Sequence, residues 1–303
     1  MKRKAVELLI VCLALSGAAL SQINSPTFKY VSFSFPKSNG TVARGINNLG
    51  EIVGYYIIGR SDCQFFLSCQ LHGFKVINGK FSTIDVPGSI QTEVFGVNDG
   101  GDVVGAFATS DGHLHGFLLH HTGQLQHIDQ PGSMFTSANG VNNSLTVVGN
   151  GVTGFIWKGG KFTTLDITNH VIGGESETIN GISNLGVIAG DLFRSDFFNA
   201  WQKAGPDLDV FQRIGGFDTH LNGVNARDDV VGSATALGGN GFVTFHSEAS
   251  ETGEQGEVLH PVPITFPGGA GTTPWSINFR QAIVGSYQDT SFPFAFHGFL
   301  AVH

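Results

Sequence analysis

The residues able to do chemistry are unevenly placed. Five of the 12 histidines fall between positions 113 and 127: His113, His115, His120, His121 and His127. The spacing His113-x-His115 puts both rings on one face of a strand, as in some metal sites. No Cys, Asp or Glu recurs beside them at a fixed spacing, so half-buried strand histidines are the expectation. Asp85, Asp129 and Asp166 share one position of an internal repeat, which Ser34 and Thr265 occupy in two other copies. Carboxylates held that way suit a capping role at the end of a strand. A general acid/base pair would need two of them facing one another in different environments. Gly149-Asn150-Gly151-Val152-Thr153-Gly154 matches G-x-G-x-x-G, but Phe155-Ile156-Trp157 follows as a strand. The fingerprint works where a helix N-terminus receives the pyrophosphate, so this is a tight loop between strands. Glu248, Glu251, Glu254 and Glu257 read as a solvated insertion with at most weak calcium affinity. No nucleophile elbow, H-E-x-x-H or CxxC pair is present. The sequence therefore assigns no catalytic, cofactor-binding or metal-binding residue, and no cofactor is expected.

The elements that must carry these residues are repeats. A small residue, then Ile or Val, then a polar residue recurs six times: Gly45-Ile46-Asn47, Gly96-Val97-Asn98, Gly140-Val141-Asn142, Gly181-Ile182-Ser183, Gly223-Val224-Asn225 and Ser276-Ile277-Asn278. Nine residues after each first position stands a second glycine: Gly54, Gly105, Gly149, Gly190, Gly232 and Gly285. Pro36, Pro87, Pro131 and Pro267 stand nine residues before it in four copies. The spacing of 41 to 53 residues is that of propellers and arrays. Within the second copy, 92–97, 102–107, 115–120 and 124–128 read as strands separated by Asn, Asp and Gly turns.

The expected fold is all-β: a six-bladed β-propeller of four-stranded antiparallel blades, near 40–88, 90–132, 134–169, 173–216, 218–268 and 270–303. The last repeat stops after its third strand. The segment 28–36 matches a fourth strand and is expected to close the ring as a single domain over 22–303. The first glycines are read as structural, on an innermost strand facing a crowded axis. Valine at Gly96 or Gly140 should disrupt folding, whereas Gly112→Val in a surface loop should be tolerated. The Asn of each copy is expected to bond its own turn backbone.

Composition bounds the rest. Hydrophobic residues are 41%, charged residues 13%, and 43 glycines fit a turn-dense β chain with ample apolar surface. Lys2, Arg3 and Lys4, the apolar run Ala5 to Leu15 and the small residues Ser16 to Ala19 read as a signal peptide over 1–21, cut near Ser21. That run is too short to span a bilayer, so stable membrane insertion is not expected. After cleavage 13 basic residues face 23 acidic ones, a balance of −10 that speaks against nucleic acid. Cys63 and Cys69, six apart in an exported chain, are expected to form a disulfide.

The pattern Gly45-Ile46-Asn47-Asn48-Leu49-Gly50-Glu51-Ile52-Val53-Gly54, then His72-Gly73-Phe74, then Phe81 to Gly88 resembles the bacterial extracellular HAF repeat family, named for a His-Ala-Phe tripeptide. The tripeptide recurs as His115-Gly116-Phe117 and His297-Gly298-Phe299, with glycine in place of alanine; Thr153, Asn199 and Asn240 replace the His elsewhere. The resemblance implies export and a propeller-like fold, and no catalytic residues. The expected function is a secreted or periplasmic, monomeric binding or scaffold module for an extracellular protein, peptide or glycan. A polysaccharide lyase or hydrolase at the propeller mouth is the alternative. Loops of unequal length on a constant frame are where either function would sit, although 3 Trp and 4 Tyr against 26 Phe are poor material for sugar stacking.

Overall fold

The structure is a computed structural model that describes residues 26–59, 69–165, 167, 174–194, 197–205, 207–210, 218–238, 240–245, 252–253, 256–257, 261–290 and 295–303. The expected signal peptide and Cys63 lie outside these residues, and with them the cleavage site and the disulfide.

A first strand, β1 (Lys29–Phe33), precedes six repeats. Blade one is β2 (Gly40–Ile46), β3 (Ile52–Gly59), β4 (Cys69–Ile77) and β5 (Lys80–Ile84). Blade two is β6 (Gln91–Val97), β7 (Val103–Ala108), β8 (Leu114–Leu119) and β9 (Leu125–Ile128). Blade three is β10 (Ser137–Val141), β11 (Val147–Asn150), β12 (Gly154–Lys158) and β13 (Lys161–Thr164). Blade four is β14 (Gly174–Ile182), β15 (Ile188–Arg194), β16 (Phe197–Ala204) and β17 (Asp207–Val210). Blade five is β18 (Thr219–Val224), β19 (Val230–Ala234), β20 (Gly241–Thr244) and β23 (Val262–Ile264), interrupted by a small hairpin of β21 (Thr252–Gly253) and β22 (Gly256–Glu257). Blade six is β24 (Gly269–Ile277), β25 (Ile283–Asp289) and β26 (Phe296–Val302). Each blade is an antiparallel four-stranded sheet, and β1 is the fourth strand of blade six, paired to β26 from Lys29↔Val302 to Phe33↔Gly298. The molecule is a six-bladed β-propeller. The segment around Glu257, read from the sequence as loop, carries the β21–β22 hairpin.

The core is divided among the gaps between blades. Val53 of blade one packs with Val94, Val103 and Phe117 of blade two. Val104 and Leu118 pack with Val147 and Phe155 of blade three, and so on round the ring to Val284 of blade six against Ala43, Ile52 and Phe74 of blade one. Middle strands are covered on both faces, which is why they read as Val-Val or Ile-Val runs and not as alternating patterns.

The second glycines have a steric cause. Gly54, Gly105, Gly149, Gly190, Gly232 and Gly285 pair across the sheet with Phe74, Phe117, Phe155, Trp201, Phe242 and Phe299. A Cβ on any of the six would overlap a backbone carbonyl oxygen of the inner strand, that of Glu93 for Gly105, and press on the aromatic ring. The phenylalanine of the His-Gly-Phe tripeptide therefore fills the space its partner glycine leaves.

At the first glycines the crowding comes from the next blade's inner strand. On Gly45 a Cβ would meet the Cα of Gly96 at 3.2 Å, on Gly96 that of Gly140 at 3.3 Å, on Gly140 that of Gly181 at 3.3 Å, and on Gly223 that of Ser276 at 3.1 Å. Small residues let neighbouring inner strands approach backbone to backbone. Gly181, with its nearest contacts at 3.5 Å, is the roomiest. Gly112 departs from expectation: its φ of +86° is left-handed, so Gly112→Val is strained despite open space around it.

Candidate functional site

The inner strands line a channel on the propeller axis, with room for about 90 Å³, a few water molecules. In all six blades the register between first and second strand slips by one residue just before the small residue of the repeat. The extra residue of such a bulge is re-aimed. The six bulged residues are Arg44, Phe95, Asn139, Asn180, Asn222 and Trp275, and all six line the channel. None was singled out from the sequence. The available signal was a variable position locked immediately before a recurrent small one.

These six divide into two arcs. In blades three to five the asparagines tie the ring: Asn139 Nδ2 donates to Ile179 O at 2.6 Å, Asn180 Nδ2 to Leu221 O at 2.8 Å, and Asn222 Nδ2 to Pro274 O at 2.9 Å. In blades six, one and two the guanidinium of Arg44 lies 3.8 Å from the ring centre of Trp275 and 5.1 Å from that of Phe95. Such stacking contributes about 0.5–2 kcal/mol. Among the described residues the guanidinium has no hydrogen bond and no carboxylate within ion-pair distance. Burial pushes its pKa down, partly offset by Tyr55 and Glu93 nearby. Burial also pushes the Tyr55 phenol up to about 12, with Glu93 adding to the rise, and pushes the Glu93 carboxyl up against the opposing pull of Arg44. None of the five N–H donors of this buried cation meets an acceptor among the described residues.

The turn end of the channel is ringed by hydrogen bonds between blades. The asparagine Oδ1 of five copies accepts from its own turn, as Asn47 does from Leu49 N and Glu51 N, and in the fourth copy Ser183 Oγ accepts from Val187 N. The asparagine Nδ2 donates to the next blade: Asn225 to Asn278 O, Asn278 to Asn47 O and Asn47 to Asn98 O. The expected turn bond is present, and an inter-blade bond accompanies it. One residue on, Asp99 accepts from the side chains of Asn48, Asn143 and Asn184. Burial raises the Asp99 pKa, but these bonds outweigh it and hold the carboxyl below its ordinary value.

The recurrent histidines lie at the other radius, toward the outer strands. His72 Nδ1 is 3.0 Å from Asp85 Oδ1, His115 Nδ1 is 2.9 Å from Asp129 Oδ1, and His297 Nδ1 is 2.8 Å from Ser34 Oγ. The rings stack on Tyr56, Phe107 and Tyr287. Asp85 and Asp129 therefore pair with the third-strand histidine and do not cap the turn. The turn is closed by a threonine five residues after the proline, as when Thr92 Oγ1 accepts from Val86 N at 3.0 Å. Thr41, Thr136 and Thr272 do the same. Asp166 lies outside the described residues. Gly149 to Gly154 spans the β11–β12 turn, with no helix to receive a phosphate.

No family model matches the chain, and no curated protein matches it. Solved structures do. Virginiamycin B lyase from Staphylococcus aureus, a catalytically inactive variant crystallised with quinupristin, is 11% identical, with a TM-score of 0.50 over 91% of this chain and 100% of that one. The beta-propeller domain of the trilobed protease from Pyrococcus furiosus is 11% identical, with a TM-score of 0.48 over 86% of this chain and 81% of that one. A PQQ-bound aldose sugar dehydrogenase from Streptomyces coelicolor is 9% identical, with a TM-score of 0.46 over 91% and 98%. At such identities the likeness to the lyase is one of fold alone.

Proposed function

We propose that this chain is an exported repeat protein of the HAF kind, acting as a non-catalytic binding module whose ligand places an acidic group against Arg44. One observation carries the reading: a guanidinium stacked by Trp275 and Phe95, at a position where half the ring spends its side chains on neighbouring backbones, has no acceptor among the described residues. Carboxylates match the guanidinium fork in charge and geometry. A channel with room for about 90 Å³ suits a small acidic group carried at the tip of a larger protein, peptide or acidic glycan.

The test is titration of the mature protein with acidic peptides and with oligogalacturonate, read by tryptophan fluorescence. Saturable binding that weakens with salt and is lost in Arg44→Met supports the reading. Equal binding by the variant, or no binding of any acidic probe, overturns it.

The alternative, a lyase or hydrolase at the propeller mouth, draws on Glu93 and Tyr55 in the field of Arg44. Both are pushed the same way, up, whereas an acid/base pair needs environments that drive its members apart. Release of unsaturated uronate from a polymer, abolished by Glu93→Gln, would establish it instead.

A further inference from the structure

The rim histidine of blade two has company that its counterparts lack. Asp111, His113 and His115 each offer a ligand atom, and these atoms all lie within 4.8 Å of one another. The His115–Asp129 pair belongs to the repeat, since His72–Asp85 reproduces it. Asp111 and His113 do not: Ser68 and Gln70 stand at those positions in blade one, Pro293 and Ala295 in blade six. What blade two adds to a structural pair is two further ligands.

The added residues are held in place. His113 N donates to Asp111 Oδ1 at 3.1 Å, across the left-handed Gly112. Leu114, between the two histidines, is fixed on both sides, pairing with Ala108 in β7 and exchanging backbone hydrogen bonds with Met134 and Thr136 of the next blade. A strand fixed on both edges positions ligands better than a free loop.

The proton inventory completes the argument. In the tautomer whose Nδ1–H donates to Asp129, His115 Nε2 offers a lone pair. Thr109 Oγ1 lies 3.2 Å from that nitrogen, but its one proton is given to Asp111. The Asp129–His115 contact reproduces the carboxylate–histidine arrangement that fixes the tautomer of metal-bound imidazole.

The geometry points to a divalent transition-metal site on the rim of blade two, with Asp111, His113 and His115 as ligands, Asp129 orienting His115, and water completing the shell. Nitrogen and carboxylate donors suit Zn²⁺ or Cu²⁺ and not Ca²⁺. Tetrahedral Zn²⁺ with bonds near 2.1 Å needs ligand atoms about 3.4 Å apart. With the ligand atoms within 4.8 Å of one another, this asks for rotations of Asp111 and His113, whose side chains are 60% and 41% exposed.

The experiment is calorimetric titration of the tag-free mature protein with Zn²⁺, repeated with a Ca²⁺ excess. One equivalent should bind, undisturbed by Ca²⁺. His113→Ala and Asp111→Asn should weaken binding at least 10-fold, and Asp129→Asn about 10–100-fold, as removal of an outer-shell partner does. His121→Ala and the Cys63→Ser/Cys69→Ser double variant should bind as wild type, and circular dichroism melts of the metal-free variants should confirm that all are folded. Absence of binding to wild type, unchanged affinity in folded His113→Ala, or loss confined to the cysteine variant would each overturn the site.

Discussion

Blades three to five and blades six, one and two place the same bulge at the same depth on the axis, yet use it for different ends. In the first arc, asparagine side chains are spent on the neighbouring blade's carbonyls. In the second, Arg44 is stacked by Trp275 and Phe95 and has no acceptor among the described residues. The backbone device is common to all six repeats, so the frame alone does not account for Arg44. In a repeat protein the recurrent residues hold the structure, and a residue that breaks the recurrence at a shared position is the place to look for function.

The largest effect should come from the frame that both arcs share. Gly105→Ala in blade two and Gly190→Ala in blade four should each cost about 3 kcal/mol or more, because the new methyl overlaps a strand carbonyl and a buried ring. Thermal melts check this. A large cost in one blade and none in the other would mean that the arcs differ in backbone as well as in side chain.

Next comes a carboxylate confined to some blades. Asp102 is 8% exposed; its burial is outweighed by hydrogen bonds from His121, Asn98 and His120, which take its pKa from 3.8 to about 2. A depressed carboxylate contributes stability above its unfolded value and loses it as pH falls through the folded one. Asp102→Asn should therefore lie roughly 2 kcal/mol below wild type at neutral pH, with the gap closing between about pH 4 and pH 2. A gap that does not change with pH would remove the electrostatic account.

Asn222→Ala and Arg44→Met test the two arcs directly. The first leaves Pro274 O without its donor in a buried site and should cost about 1–2 kcal/mol. The second keeps the packing between the rings and should cost less than about 1 kcal/mol at pH 4 by urea unfolding, since no hydrogen bond is lost. Its deficit should grow as pH rises, because the buried Glu93 loses the cation that favours its ionised form. If Arg44→Met proves the more damaging of the two at pH 4, the arginine is structural and the contrast between the arcs fails.

Much of the architecture was legible in the chain. Second glycines at a constant nine-residue offset mark a place where backbone and aromatic ring leave no room for a Cβ, a local constraint repeated often enough to see. Asparagine turns and the orphan strand 28–36 were legible for the same reason: each needs only its own repeat and the closure argument. The turn threonines Thr41, Thr92, Thr136 and Thr272 were equally visible, five residues after each proline, and were missed.

The chain by itself determined six β repeats, their turns and their closure, because steric and turn chemistry act over a few residues and recur. Tertiary structure alone decided what faces the axis and what meets at the rim. A bulge breaks the two-residue alternation by which strand faces are read, so Arg44, Phe95 and Trp275, far apart in sequence and unlike one another, converge only when the ring closes. Asp111 joins His113 and His115 because a left-handed glycine turns the loop back over the strand.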